Sequence, residues 1–150
     1  MSAGKLSLDW FSVLGFEWEY MLVDGSSREI RSRVDELFMR MAACKTPVCE
    51  VERGMLGWSN ELAAHVAEMK TPRPVRDFKK LSIEVRREIQ FAQEHAEVSG
   101  LSLMPGPVHP FMNPLKELKL WPHGENDGIY EAYDRIFGCK GHGWANLQSV

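Results

Sequence analysis

Residues 11–23, FSVLGFEWEYMLV, are rich in aromatic and β-branched side chains and predict the first strand of a sheet. Side chains two apart on a strand point to the same face, so Glu17 and Glu19 lie together on the face opposite the aromatic residues. Carboxylates about 7 Å apart repel each other unless a cation or base lies between them. Because Mg²⁺ binds carboxylate oxygens and keeps positions for water and phosphate, the pair is a candidate metal site. The alternative is a half-exposed strand with an acidic polar face.

The rest of the chain alternates between helical and extended patterns. Three stretches have helical spacing: 28–43, 75–98 and 129–137. Four shorter stretches are extended candidates: 47–51, 62–70 (which also fits a helix), 101–103 and 144–150. Ser26 and Glu29 have the spacing of a capping box, which predicts where the first helix starts. Alternation would allow parallel βαβ units, but the half-polar first strand favours an α+β fold with a mainly antiparallel sheet and helices packed on one face.

A second acidic group lies in residues 60–70. Glu68 stands in a run of alanine and valine, where burying a carboxylate is costly unless it is paired or binds a metal. Glu61 comes seven positions earlier, so strict strand alternation would place it on the opposite face. A bend or bulge near residues 61–63 would bring both carboxylates to one site. The alternative is a turn acid and a separate, salt-bridged strand acid.

Histidines and cysteines give weaker indications. His109 lies in residues 104–114, MPGPVHPFMNP, a proline-rich loop that is not expected to form regular structure. Such a loop could present the ring to a ligand or only cover the core, and His65 is expected in the core. Three cysteines form no disulfide framework or paired zinc motif, so free thiols are expected. They are Cys44, Cys49 and Cys139.

Composition excludes several classes of function. The chain has 150 residues with 44% hydrophobic and 10% aromatic residues, which predicts one folded domain over residues 1–150. Its 18 basic and 21 acidic residues give a net charge of −3, against a general nucleic-acid-binding protein. No apolar run suits a membrane helix or signal peptide, so we expect a cytoplasmic protein without membrane contact. The common hydrolase, nucleotide-loop and zinc-protease motifs are missing.

Four segments in order resemble the glutamate–cysteine ligases and related carboxylate–amine ligases with a glutamine-synthetase-like fold. They are GFEWEYMLVD (15–24), NELAAHVAEMKTP (60–72), LMPGPVHPF (103–111) and GHGWANLQSV (141–150). The resemblance implies an antiparallel sheet whose acidic side chains hold Mg²⁺ or Mn²⁺, and metals that hold the phosphates of ATP. It also implies the reaction: ATP phosphorylates a glutamate-like carboxylate, and an amine attacks the acyl phosphate.

The resemblance also implies roles for individual residues. It maps Glu17 and Glu19 onto the metal ligands of the first strand, and Glu61 and Glu68 onto an acidic pair with the same seven-residue separation. His109 would be a substrate-side loop residue.

In the family, the strand that resembles residues 144–150 continues into a histidine-containing segment, and further metal and nucleotide ligands lie in the C-terminal half. The resemblance therefore implies that this chain is the N-terminal part of a catalytic domain. A C-terminal half or a second copy in a homo-oligomer would complete the site. The competing hypothesis is a non-catalytic α+β module that binds a metal, a small ligand or another chain.

Overall fold

A computed structural model describes residues 9–106, 109–124 and 127–137 of the chain. Within these residues the fold is α+β, as predicted, with one antiparallel sheet and several helices. The strands are β1 (Glu17–Asp24), β2 (Glu50–Arg53), β3 (Leu56–Asn60), β4 (Val66–Lys70) and β5 (Leu101–Pro105). The helices are α1 (Val34–Met41), α2 (Phe78–Glu97), α3 (Pro114–Glu117) and α4 (Asp127–Phe137). None of the described helices is long and apolar enough to cross a membrane.

The sheet has the strand order β2-β3-β4-β1-β5, and every neighbouring pair is antiparallel. Glu19 on β1 is paired with Glu68 on β4, and Glu68 is paired in turn with Ser59 on β3. Side chains that are directly opposite on neighbouring strands share one face of the sheet. The register therefore defines an acidic face, which carries Glu19, Glu68 and the side chains in line with them.

The opposite face carries the aromatic side chains and is covered by α1 and α2. Trp58 on β3 is completely buried there, and its ring lies 5.7 Å from that of Tyr20 on β1. Phe38 of α1 and Leu81 of α2 belong to the same buried cluster. Burial of these apolar side chains between the helices and one face of the sheet is the main stabilising contribution to such a fold.

The acidic face is apolar at its other end. Met21 and Val66 are buried there together with Met112 and Leu118, which come from the segment after β5. Leu120 of the same segment forms an isolated antiparallel bridge with Ala63, which precedes β4. This segment therefore covers the apolar end of the acidic face.

Several predicted boundaries are wrong. The first strand begins at Glu17 instead of residue 11, and the first helix begins at Val34 instead of residue 28. The proposed capping box does not form, because the Ser26 hydroxyl donates instead to the Asp24 carboxylate within a turn. Ile30 is drawn into a bridge with Val23, which keeps this stretch extended.

Other stretches were predicted with mixed success. Residues 62–70 contain a turn and the strand β4, so the helical alternative is wrong, and β3 was missed. The loop predicted over 104–114 is strand up to Pro105 and turns helical at Pro114. Cys44 and Cys49 are free thiols, as predicted. The predicted strand 144–150 and Cys139 lie outside the described residues.

Helix α2 matches its prediction closely, and its N-terminus offers a stability test. The Asp77 side chain accepts a hydrogen bond from the backbone N–H of Lys80 at 2.9 Å, which is an N-cap. Asp77→Ala is expected to lower the free energy of unfolding by about 1 kcal/mol. Urea unfolding followed by circular dichroism measures this. Asp77→Asn keeps a side-chain acceptor and should stay near wild type; an equal loss in both variants would contradict the capping role.

Candidate metal centre

Three carboxylates converge at the glutamate end of the acidic face: Glu19 on β1, Glu68 on β4 and Glu61, directly after β3. One oxygen from each lies within 4.8 Å of the others. Glu19 and Glu68 meet because they are register partners. Glu61 stands two residues beyond Ser59, the other partner of Glu68, and so extends the same face. We call these three residues the glutamate cluster.

The chain reversal between Glu61 and Glu68 explains their odd spacing. The chain reverses over residues 62–65, so Glu68 lies on β4 while Glu61 directly follows the neighbouring antiparallel strand β3. Strict alternation along one strand therefore does not apply to the pair. The turn brings Glu61 and Glu68 to the same face, as expected of a bend near residues 61–63.

The glutamate cluster is electrostatically strained without a cation. Burial raises the pKa of Glu19 to about 7, and the carboxylates of Glu61, Glu68 and Glu17 add to the rise. Burial also raises the pKa of Glu61, and its close neighbour Glu68 adds to that rise. Oε2 of Glu19 is a buried atom that finds no hydrogen-bond partner among the described residues. A hard divalent cation would satisfy this oxygen and relieve the repulsion, so the donor set fits Mg²⁺ or Mn²⁺.

Glu17 lies outside the glutamate cluster. It shares the acidic face with Glu19, is exposed, and is paired in register with Lys70. Its carboxylate is close enough to contribute to the raised pKa of Glu19. The structure thus brings three of the four predicted ligands together and places Glu17 at the rim. A shallow cavity of about 270 Å³, lined partly by Glu17 and Thr71, opens beside it.

Two residues that the sequence did not single out hold the Glu68 carboxylate. The Ser59 hydroxyl donates to Glu68 Oε1 at 3.0 Å, and Lys70 Nζ lies 3.3 Å from the same oxygen. Lys70 Nζ is also 3.5 Å from Glu50 Oε1. Partial burial lowers the pKa of Lys70, but Glu68 and Glu50 outweigh this effect and raise it, so the side chain is charged at neutral pH. Strand spacing from Glu68 could have identified Lys70, whereas Ser59 required the pairing of the unpredicted strand β3.

His109 is not a member of the glutamate cluster, and the hydrogen bonds described for its ring join it to backbone atoms. Its ring is buried, with Nε2 2.8 Å from the carbonyl oxygen of Arg28 and Nδ1 accepting from the backbone N–H of Phe111. These contacts hold the loop after β5 against the turn after β1. The fully buried His65 lies near it, and burial together with His109 lowers the pKa of His65 to about 4. The substrate-side role of His109 stays a prediction.

Comparisons with known proteins give the family of the chain. A family model described as glutamate-cysteine ligase family 2 (GCS2) matches residues 13–150, which include the whole glutamate cluster. The chain is also similar to an uncharacterized protein of Archaeoglobus fulgidus, with 32% identity over 139 residues. The match covers 91% of this chain and 36% of the relative, so the chain spans about a third of that protein's length.

Proposed function

Since the chain belongs to glutamate-cysteine ligase family 2, we propose that it forms part of the metal and nucleotide site of an ATP-dependent carboxylate–amine ligase. The observation that carries the proposal is the glutamate cluster, in which one oxygen from each of the three carboxylates lies within 4.8 Å of the others. Oε2 of Glu19 is also buried without a hydrogen-bond partner among the described residues. A partly buried group of repelling carboxylates is destabilising, and metal binding gives a reason for it.

Glu19, Glu61 and Glu68 would hold the divalent cation, with Glu17 at the rim. When bound, the cation neutralises phosphate charge and polarises the phosphoryl group that is transferred. The protein contributes a rigid mount, because two of the three carboxylates stand on paired strands and the third directly follows a strand. Ser59 helps to fix the orientation of Glu68, because its hydroxyl donates to Oε1 of that carboxylate.

In the proposed reaction, an oxygen of a glutamate-like carboxylate takes the γ-phosphoryl group and ADP leaves. An amine then attacks the acyl carbon and displaces phosphate, which forms the amide bond. The role of this chain's residues is positioning and electrostatics: without a cation the acidic face repels nucleotide phosphates, so cation and nucleotide are expected to bind together.

Metal titration tests the site directly. We expect Glu19→Gln/Glu61→Gln to bind Mn²⁺ at least about tenfold more weakly than wild type in isothermal titration, because a carboxylate supplies charge that an amide lacks. Glu17→Gln should lose less, as its side chain is at the rim. Glu94→Gln/Glu97→Gln, an equal charge change on exposed positions of α2, is the matched control and should bind like wild type. Equal Mn²⁺ affinity in the cluster variant and wild type would rule out this site.

Turnover separates a ligase from a binding module. ADP formation is to be measured with ATP, Mg²⁺, glutamate and a panel of amines, and the amide product identified by mass spectrometry. Product that depends on Glu19 and Glu61 would support the ligase. Metal binding by the glutamate cluster without any turnover would favour a non-catalytic module.

A further inference from the structure

Lys70 is the single basic side chain that the five described strands place on the acidic face. The same strands place five glutamates there, and Glu61 extends the row from the end of β3. Those strand glutamates are Glu17, Glu19, Glu50, Glu52 and Glu68. A lone fixed cation in such surroundings strongly affects any charged ligand that binds beside it.

The position of Lys70 makes it part of the proposed centre. Its Nζ contacts Oε1 of Glu68, a member of the glutamate cluster, and Oε1 of Glu50 on the edge strand β2. The side chain is 29% exposed, so water screens its charge only partly. Lys70 and a cation held by the cluster would therefore share the Glu68 carboxylate.

The positive charge of Lys70 has opposite effects on the free cation and on the cation–nucleotide complex. It repels a free divalent cation, which carries two positive charges. It attracts the complex of that cation with ATP, which carries a net negative charge. The same side chain therefore disfavours the bare ion and favours the ion that arrives with phosphate.

We propose that Lys70 is a specificity-determining residue that weakens binding of the free divalent cation and strengthens binding of the cation–nucleotide complex. The inference rests on the proposed function, because it takes the glutamate cluster as the cation's ligands. Its biochemical consequence is that the site prefers the cation that arrives with nucleotide over the free cation, which suits a site whose metal serves phosphoryl transfer.

Ser59 provides the comparison that separates charge from orientation. Its hydroxyl contacts the same oxygen of Glu68 as Lys70 does, but it is neutral. Ser59→Ala therefore loosens Glu68 without changing the charge of the face. It should shift the affinities for both ligand forms in the same direction, whereas loss of the Lys70 charge should shift them in opposite directions.

The experiment titrates two probes, Mn²⁺ alone and Mn²⁺ complexed with the non-hydrolysable β,γ-imido analogue of ATP, in about 50 mM salt to limit screening. Binding is followed by calorimetry and by the electron paramagnetic resonance signal of free Mn²⁺. We expect Lys70→Met to bind free Mn²⁺ about tenfold more tightly and the complex about threefold more weakly than wild type. Lys70→Arg keeps the positive charge, so its affinities for both probes should stay close to those of wild type.

The opposite signs decide the result. The proposed role of Lys70 is wrong if Lys70→Met changes the affinities for both probes in the same direction. It is also wrong if both affinities stay at the wild-type values. If wild type binds Mn²⁺ through the glutamate cluster in that case, the proposed function stands and this inference alone fails. If neither wild type nor Lys70→Met binds either probe, both are wrong.

Discussion

Replacing Trp58 by alanine is expected to lower the free energy of unfolding by about 4 kcal/mol, the largest loss that we expect from a single substitution in this chain. Trp58 is 0% exposed and packs against Tyr20 between the sheet and the helices. Its indole Nε1–H donates to Oε1 of the buried Glu88 at 3.2 Å. Truncation would leave a cavity and also remove one partner of a buried carboxylate, which keeps only Arg53 at 2.7 Å among the contacts described.

Urea unfolding at constant pH measures this loss. Trp10 is 92% exposed and supplies the matched control, since Trp10→Ala should change the free energy of unfolding by less than about 0.5 kcal/mol. Trp58→Phe keeps most of the ring volume and loses the N–H group, so it should fall between the two. A cost below about 1 kcal/mol for Trp58→Ala would show that β3 contributes little to the core.

Without divalent cations, the stability of the wild type relative to Glu19→Gln/Glu61→Gln is expected to fall by about 2 kcal/mol between about pH 5 and pH 8. The pKa of Glu19 is raised to about 7 in the folded chain, so the folded state keeps a proton that the unfolded state releases near pH 4.5. This contribution is complete below the unfolded pKa and is lost as the pH rises through 7. Each pKa unit corresponds to about 1.4 kcal/mol, and solvent screening of these half-buried groups reduces the total.

Denaturant unfolding of both proteins in a chelating buffer at several pH values checks this. Taking the difference between the two proteins cancels the titration of His65, whose lowered pKa acts in the opposite direction. Adding about 10 mM Mg²⁺ at about pH 8 should restore the wild type and leave the variant unchanged, because only the wild type has the ligands. A pH-independent difference would contradict the raised pKa values of Glu19 and Glu61, whose largest cause is burial.

The sequence predicted the parts of this molecule that depend on local patterns. Alternation in β1 placed Glu17 and Glu19 on one face and indicated a half-solvated antiparallel sheet, and the long apolar stripe identified α2. The capping box failed because Ser26 has a closer acceptor in Asp24, a contact between two turn residues that spacing alone does not exclude. Local patterns also left residues 62–70 undecided until the turn before β4 was known.

The sequence did not predict which strands pair with each other. Strand β3, LGWSN, contains glycine, serine and asparagine, which disfavour strands, and it forms because it is buried between β2 and β4. Without β3 the sequence cannot place Ser59 opposite Glu68 or explain why Glu61 joins the same face. The contact of Lys70 with Glu50 on β2 depends on the same pairing, whereas its contact with Glu68 lies within β4.

The turn at residues 62–65 has a further consequence for how this centre can change. The turn connects Glu61 to β4, so its length affects the distance between the Glu61 and Glu68 carboxylates. A one-residue shift in the pairing of β4 with β3 would move Glu68 to the other face of the sheet. Loops usually tolerate insertions and deletions, but a change in this turn that shifted the register would separate the Glu61 and Glu68 carboxylates.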